Sequence, residues 1–159
     1  MIRKIIISII FIAVVIDMVL AGQYVLKKYY FEQKGKMVQA TIHDIKFSLQ
    51  VADSEEEWKQ GLQEVKSLPS RQGMLFVFPK KDRYVFWMKN TFISLDLLWI
   101  HGDTIVEITK SAQPELQTKK DAELRQYRST QPVDKVIELN AGEVELYGIS
   151  IGDVVKMEK

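Results

Sequence analysis

The chain opens on its longest apolar run. From Ile5 to Gly22 only Ser8, Asp17 and Gly22 fall outside the apolar class, and Tyr24, Val25 and Leu26 extend it. At 1.5 Å per residue a helix over residues 5–26 reaches roughly 33 Å, enough to cross the hydrocarbon core of a bilayer. Asp17 would cost about 3 kcal/mol near the middle of such a span, and isoleucines at about −0.5 kcal/mol each offset it. Seven isoleucines lie in the run, so it is expected to insert as a single transmembrane helix. A cleavable signal is the alternative, with Val19-Leu20-Ala21 as a small-x-small site. Length favours the uncleaved anchor, as do Tyr24, Tyr29, Tyr30 and Phe31 interleaved with Lys27 and Lys28, residue types suited to the membrane interface. This divides the chain into a cytoplasmic tip (1–4), an anchor (5–26), a linker (27–37) and a domain (38–159). A single leading span ordinarily exports the domain behind it, so residues 38–159 are expected outside the cytoplasmic membrane, or secreted if cleavage occurs. The positive-inside count opposes this orientation, because Lys27, Lys28, Lys34 and Lys36 outnumber Arg3 and Lys4.

Beyond the linker the period changes from helical to two. Val38, Ala40 and Ile42 alternate with polar residues, and Ile45, Phe47, Leu49 and Val51 alternate again after a phase shift that a turn or bulge at His43-Asp44 would produce. One helix is signalled. Ser54 with Glu57 forms a capping box, three glutamates suit the positive end of the helix dipole, and Trp58, Leu62 and Val65 share a helical face. Further strands are predicted over 74–78, 84–89, 95–100, 104–109, 135–139 and 154–157. Gly102 supplies the positive φ for a tight turn between the third and the fourth of these. Gly61, Gly73, Gly142, Gly148 and Gly152 read as turn and bulge positions. Residues 110–133 are polar and without period, which predicts a long loop, either a solvated connection or a lid. Many short strands with one short helix make the domain mainly β, a sandwich or barrel.

Two apolar strands each carry a charge. Phe86-Trp87-Met88-Lys89-Asn90-Thr91 is followed by Leu95-Asp96-Leu97-Leu98-Trp99-Ile100. If residues 90–95 join them in a hairpin, Lys89 faces Asp96 and Trp87 faces Leu98, while Phe86 and Trp99 share the other side. A lone charge in such a place would cost several kcal/mol, so an ion pair between Lys89 and Asp96 is predicted at the edge of the core.

Composition narrows the partners. The 159 residues are 47% hydrophobic, enough for one domain with a real core. Residues 1–37 carry 6 basic and 2 acidic residues, and residues 38–159 carry 16 basic and 19 acidic ones, a net charge of −3. An acidic domain lacks the basic footprint that nucleic acid demands. The absence of cysteine excludes disulfides, thiol catalysis and thiolate metal sites. His43 and His101 have no ligand-spaced partner, so no metal or other cofactor is expected.

The two charged strands, together with Gly73-Met74-Leu75-Phe76-Val77-Phe78 and Val136-Ile137-Glu138-Leu139-Asn140-Ala141-Gly142, resemble the domain of unknown function 192 family over roughly residues 52–155. Gly148-Ile149-Ser150-Ile151-Gly152-Asp153 is similar to the closing turn of that family. The resemblance implies a compact jelly-roll-like β fold and no assigned activity. The chain departs from the family pattern at Gly61-Leu62-Gln63-Glu64, where methionine and arginine are usual, and at Ser94, where proline is usual.

Candidate chemistry concentrates on Lys89, Asn90, Thr91, Asp96 and Glu138. Structurally, Lys89 and Asp96 would lock the register of a buried hairpin. Functionally, the Lys89 amine with Asn90 and Thr91 would bind an anion or polar ligand, and Glu138 would place a second carboxyl beside Asp96. Phe86, Met88, Met74 and Phe76 read as core, as do Trp87 and Trp99, for which stacking on a sugar is the alternative. No nucleophile elbow, phosphate-binding glycine loop or zinc-protease motif is present. The function expected is a membrane-anchored extracytoplasmic module, without evident catalysis, that binds a small polar ligand or an envelope partner. The alternative is an envelope carbohydrate-active hydrolase or transferase using Asp96 and Glu138 as acid and base.

Overall fold

The computed structural model describes residues 35–115 and 121–158, together with Ile12 and Ile16. The chain divides into a unit of residues 1–34 and a unit of residues 35–159. In the first, Ile12 and Ile16 are helical and more than half exposed. The rest of the expected anchor lies outside the described residues, as does the linker up to residue 34. Among the described residues no helix is long and apolar enough to cross a membrane.

The second unit is mainly β, a sheet curled into a half-barrel with few helices. Its strands are β1 (Met37–Ile42), β2 (Ile45–Ala52), β3 (Gln72–Asp82), β4 (Val85–Phe86), β5 (Leu95–His101), β6 (Thr104–Ala112), β7 (Tyr127–Arg128), β8 (Val133–Asn140) and β9 (Lys156–Met157). Seven form one sheet in the order β6-β5-β8-β3-β2-β1-β9, and β4 pairs with β7 beside it. No second sheet of comparable size faces the first among the described residues, so of the expected sandwich or barrel the fold shows a curled half-barrel. Among the described strands every pairing is antiparallel except β2 with β3, whose crossover contains helix α1 (Glu55–Gln60).

Local signals place their elements well. His43 and Asp44 have φ of 50° and 62°, the left-handed pair that closes a two-residue hairpin with the right twist. Gly102, at φ 63°, turns β5 into β6. Ser54 and Glu57 form the capping box at α1, with Glu57 Oε2 accepting from Ser54 N at 3.1 Å. The Asp53 and Ser54 hydrogen bonds hold the Glu57 carboxyl below the usual glutamate range, the Asp53 backbone N–H contributing most. The helix is shorter than its apolar spacing suggests, because Gly61 ends it at φ 46°; Leu62 and Val65 lie beyond it. A second short helix, α2 (Glu143–Leu146), and a 3₁₀ turn at Asp121–Glu123 are additions to the expected elements.

The carboxyl-terminal stretch curls the sheet. Thr104 of β6 bridges Val154, Ile105 N donates to Asp153 O and Val155 N to Asp103 O, while β9 pairs with β1. One segment thus hydrogen-bonds to both edges, and the unpaired edges that an open sheet would expose are partly satisfied. The concave face closes over an aliphatic core that includes Leu49, Leu75, Leu98, Ile100, Ile105, Ile137 and Leu139. Full burial of each such side chain stabilises by about 2 kcal/mol before entropy is counted.

The convex face carries a second, aromatic layer. Met74, Phe76 and Phe78 of β3 share that face with Val136 and Glu138 of β8 and with Leu97 and Trp99 of β5, as the register requires. Trp99 is fully buried and its Nε1 donates to Thr109 Oγ1 at 2.9 Å. Helix α1 and the segment from Tyr84 to Thr91 cover the layer through ring contacts: Trp58 on Phe78 at 5.2 Å, Tyr84 on Phe78 at 3.6 Å, and Phe86 on Phe76 at 4.9 Å.

Gly73 lies within β3 and not at a turn. A Cβ there would stand 2.2 Å from the Glu138 carbonyl oxygen, so only glycine lets β8 approach.

Candidate functional site

The expected hairpin of residues 84–100 does not form. Strand β4 stops at Phe86 and pairs with β7, and β5 is hydrogen-bonded on one side to β6 and on the other to β8. Residues 87–94 cannot add a third neighbour to β5, because both its edges are taken. The Lys89–Asp96 ion pair falls with the hairpin. Phe86 does touch Trp99, with ring centroids 5.3 Å apart, but as a covering layer on the sheet and not as a cross-strand partner. Trp87, read as core, is 40% exposed.

Asp96 is fully buried and its partners are backbone groups. Oδ1 accepts from Ser111 N at 2.8 Å, and Oδ2 accepts from Gly142 N at 2.9 Å and Val144 N at 3.1 Å. Ser111, at φ 53°, lies where the register between β5 and β6 shifts, so its N–H would otherwise be orphaned by the bulge. Gly142 and Val144 open α2, whose first N–H groups have no partner within the helix. One carboxyl therefore ties the bulge in β6 to the corner after β8.

Lys89 ion-pairs instead with Asp121, Nζ to Oδ1 2.6 Å, and lies 6.0 Å from the Trp87 ring centroid. Asn90, at φ 53°, fastens two loops: its N–H donates to Glu115 O, its carbonyl accepts from Glu64 N, and Nδ2 donates to Gln63 Oε1 at 3.2 Å. Thr91 is buried and its hydroxyl donates to Lys89 O at 3.4 Å. The region expected as a free loop is largely fastened: β6 runs to Ala112, Glu115 bridges Lys89, β7 pairs with β4, and Glu107 accepts from the Thr130 N–H and hydroxyl. Residues 116–120 lie outside the described residues.

Glu138 is in a different situation. It is 4% exposed on the aromatic face, and its Oε2 has no hydrogen-bond partner among the described residues. It lines a cavity of about 320 Å³ walled by Trp58, Phe76, Phe78, Tyr84, Phe86 and Trp87, to which Gln60, Gly61, Leu62, Gln63, Val85 and Thr91 also contribute. Burial without a compensating donor pushes its pKa up from 4.5 to about 8, so the group is predominantly a neutral acid at pH 7. Burial also raises the Tyr84 phenol above its usual value. Glu55, Lys59 and Lys89 bring ionisable groups to the cavity lining. Lys59 lies 3.7 Å from Glu55 and Lys89 2.6 Å from Asp121, so both ammonium groups have an anionic neighbour.

Of the five residues singled out from sequence, Lys89, Thr91 and Glu138 line this cavity, whereas Asn90 and Asp96 do not. Asp96 pairs in register with Leu139 and Glu138 with Leu97, which puts the two carboxyls on opposite faces of the sheet. They cannot flank one glycosidic bond. Trp58, Phe78 and Tyr84 are site residues that sequence reasoning missed. Their signal is density: the aromatic residues between positions 58 and 87 are Trp58, Phe76, Phe78, Tyr84, Phe86 and Trp87, and all six line the cavity. Of the stretch that departs from the family pattern, Gly61-Leu62-Gln63-Glu64, the first three residues form part of the same wall and Glu64 does not.

The model of the domain of unknown function 192 family, described as Uncharacterized ACR, matches residues 38–157, and the chain belongs to that family. No curated protein matches it significantly. Two solved structures are similar. A candidate transcription regulator from Sinorhizobium meliloti is 29% identical, with a TM-score of 0.70 over 77% of this chain and 95% of that one. A protein of unknown function from Novosphingobium aromaticivorans is 27% identical, with a TM-score of 0.64 over 76% of this chain and 83% of that one.

Proposed function

We propose that this member of the family is a membrane-anchored, extracytoplasmic binding module that takes a small ligand into the aromatic cavity above Glu138. A buried carboxyl oxygen without a partner carries the reading. Leaving such a group unsatisfied costs about 1–3 kcal/mol, a penalty a purely structural position would shed by substitution and a ligand-binding position recovers on occupancy. The volume of about 320 Å³ falls within the range of small-molecule sites, about 300–1,000 Å³, and mostly apolar walls with few polar groups are their usual form. The anchor rests on the apolar run of residues 5–26, and an envelope protein that delivers or senses the ligand would be the natural partner.

Carbohydrate hydrolysis by Asp96 and Glu138 is not retained, because the two carboxyls face away from each other across the sheet. The name of the Sinorhizobium neighbour is not carried over either: with a net charge of −3 over residues 38–159, the domain offers no basic footprint for nucleic acid.

A thermal-shift screen of the full-length protein in mild detergent, against sugars, anions, amines and metal ions, tests the cavity. A ligand-specific rise in Tm that Val85→Trp abolishes is expected, since Val85 stands partly exposed in the cavity lining. No stabilising compound, or stabilisation that survives Val85→Trp, would remove the reading. Carbonate extraction of membranes and reporter fusions after residue 37 test the anchor and its orientation.

A further inference from the structure

The geometry points to an organic ammonium ion as the ligand of this cavity, its positive charge held between the aromatic walls and the Glu138 carboxyl. The inference rests on the cavity reading above and adds the charge and chemical class of what enters. Four buried side-chain oxygens lack a partner among the described residues, on Gln72, Asn90, Glu138 and Glu143, and of these residues only Glu138 lines the cavity. Most other polar groups there are engaged, the exposed Gln60 amide and the Trp87 indole N–H being the exceptions. Gln63 accepts from Asn90 and donates to Lys59 O, Thr91 donates to Lys89 O, and the two lysines face Glu55 and Asp121. The Tyr84 hydroxyl donates to Lys80 O.

That distribution discriminates between ligand classes. A sugar ring needs several donors and acceptors for its hydroxyls, and the one buried unpartnered oxygen that the walls offer, on Glu138, lies among six aromatic side chains, with the unpaired Gln60 amide exposed. An anion would meet an acid and no unpaired cation. A ligand with one positively charged end and an apolar remainder fits both features, because aromatic rings attract a cation through their negative faces and a desolvated carboxylate is its natural counter-ion.

Charge balance makes the exchange explicit. Without ligand, Glu138 holds a proton, because burial raises its pKa to about 8. When the ammonium ion enters, the carboxyl gives that proton to solvent and the ligand's charge takes its place, so the net charge inside the cavity stays constant. The other ionisable groups lining the cavity are Glu55, Lys59, Tyr84 and Lys89. Tyr84, with its phenol raised by burial, stays neutral across this range.

Choline and its uncharged isostere, in which carbon replaces the ammonium nitrogen, are the probes, titrated by calorimetry into the full-length protein in mild detergent. About one proton should be released per choline bound below the Glu138 pKa, read from the dependence of the heat on buffer ionisation enthalpy. Affinity should rise about tenfold per pH unit up to about pH 8 and level off above it. The isostere should bind at least about tenfold more weakly, a difference that Glu138→Gln narrows by weakening choline alone, leaving the share of the aromatic walls. Trp58→Leu should weaken choline several-fold without altering the proton count. Equal binding of the two probes without proton release would overturn the ammonium inference and leave the cavity reading in place. Binding of neither probe would also overturn it, while the wider ligand screen decides the cavity reading separately.

Discussion

Asp96 and Glu138 are buried carboxyls on adjacent strands, one register position apart, and they differ in everything but chemistry. Asp96 lies on the concave side, where three backbone N–H groups occupy its oxygens. Glu138 lies in the aromatic layer, where one oxygen has no partner among the described residues and a cavity adjoins it. The sheet separates a finished polar contact from an unfinished one. Burial alone therefore does not distinguish a structural acid from a functional one; what matters is whether the fold itself supplies the donors.

The largest effect should come from breaking the finished contact. Asp96→Leu leaves the N–H groups of Ser111, Gly142 and Val144 without their acceptor, that of Val144 buried and the other two part-buried. At about 1–3 kcal/mol for the buried group and about 1 kcal/mol for each of the part-buried ones, a loss of about 4 kcal/mol is expected, measured as the shift in urea midpoint. A loss below about 1 kcal/mol would mean that the bulge and α2 hold without the carboxyl. Next in size is Gly73→Ala, which touches the strand pairing beneath both acids. A Cβ 2.2 Å from the Glu138 carbonyl oxygen can be relieved only by moving backbone. About 3 kcal/mol of destabilisation is expected in the same measurement.

Glu138→Gln acts on the unfinished contact, and its sign depends on pH. The folded-state pKa of about 8 lies above the ordinary glutamate value of 4.5. Below the lower value both folded and unfolded chains hold the proton, and the group imposes no pH dependence. Between the two, the unfolded chain releases its proton while the folded chain keeps it, so stability falls by about 1.4 kcal/mol per pH unit. Glutamine removes that slope. The variant should therefore gain on the native protein by about 2–3 kcal/mol between about pH 5 and pH 7, followed as urea midpoints across the series. Parallel stability profiles for the two proteins would show that Glu138 does not hold its proton through neutrality.

The contrast between the two acids is half legible in the sequence. Charges inside apolar strands mark Lys89, Asp96 and Glu138, and that flag survives, since Asp96 and Glu138 are the buried acids of β5 and β8. Local elements are also readable: the His43-Asp44 and Gly102 turns and the Ser54–Glu57 cap depend on residues within a few positions of one another. Asp96's partners are not, because a backbone N–H has no residue identity to search for. They arrive from β6 and from the corner after β8, the latter 46 residues away along the chain. A sequence displays only side chains as partners, and on that basis Asp96 goes to the nearest lysine. Nor does it display that β8 takes the edge of β5 expected for residues 84–89. The cavity results from that same displacement, since the segment excluded from the sheet becomes the roof over Glu138.

The smallest effect tests the displaced lysine. Were Lys89 the buried partner of Asp96, its removal would cost about 3–5 kcal/mol, as for any broken buried pair. Its side chain is instead one-third exposed and that of Asp121 58% exposed. Water and salt screen such a contact, and holding two flexible side chains in one geometry offsets much of what remains. Lys89→Met should therefore shift stability by less than about 1 kcal/mol, and the small loss should shrink further in high salt. Because Asp96 and Lys89 have no contact in common, the losses in Lys89→Met and Asp96→Leu should add in the double variant to within about 0.5 kcal/mol. A coupling energy well above that would restore the direct pair and, with it, a finished polar contact on the wrong side of the sheet.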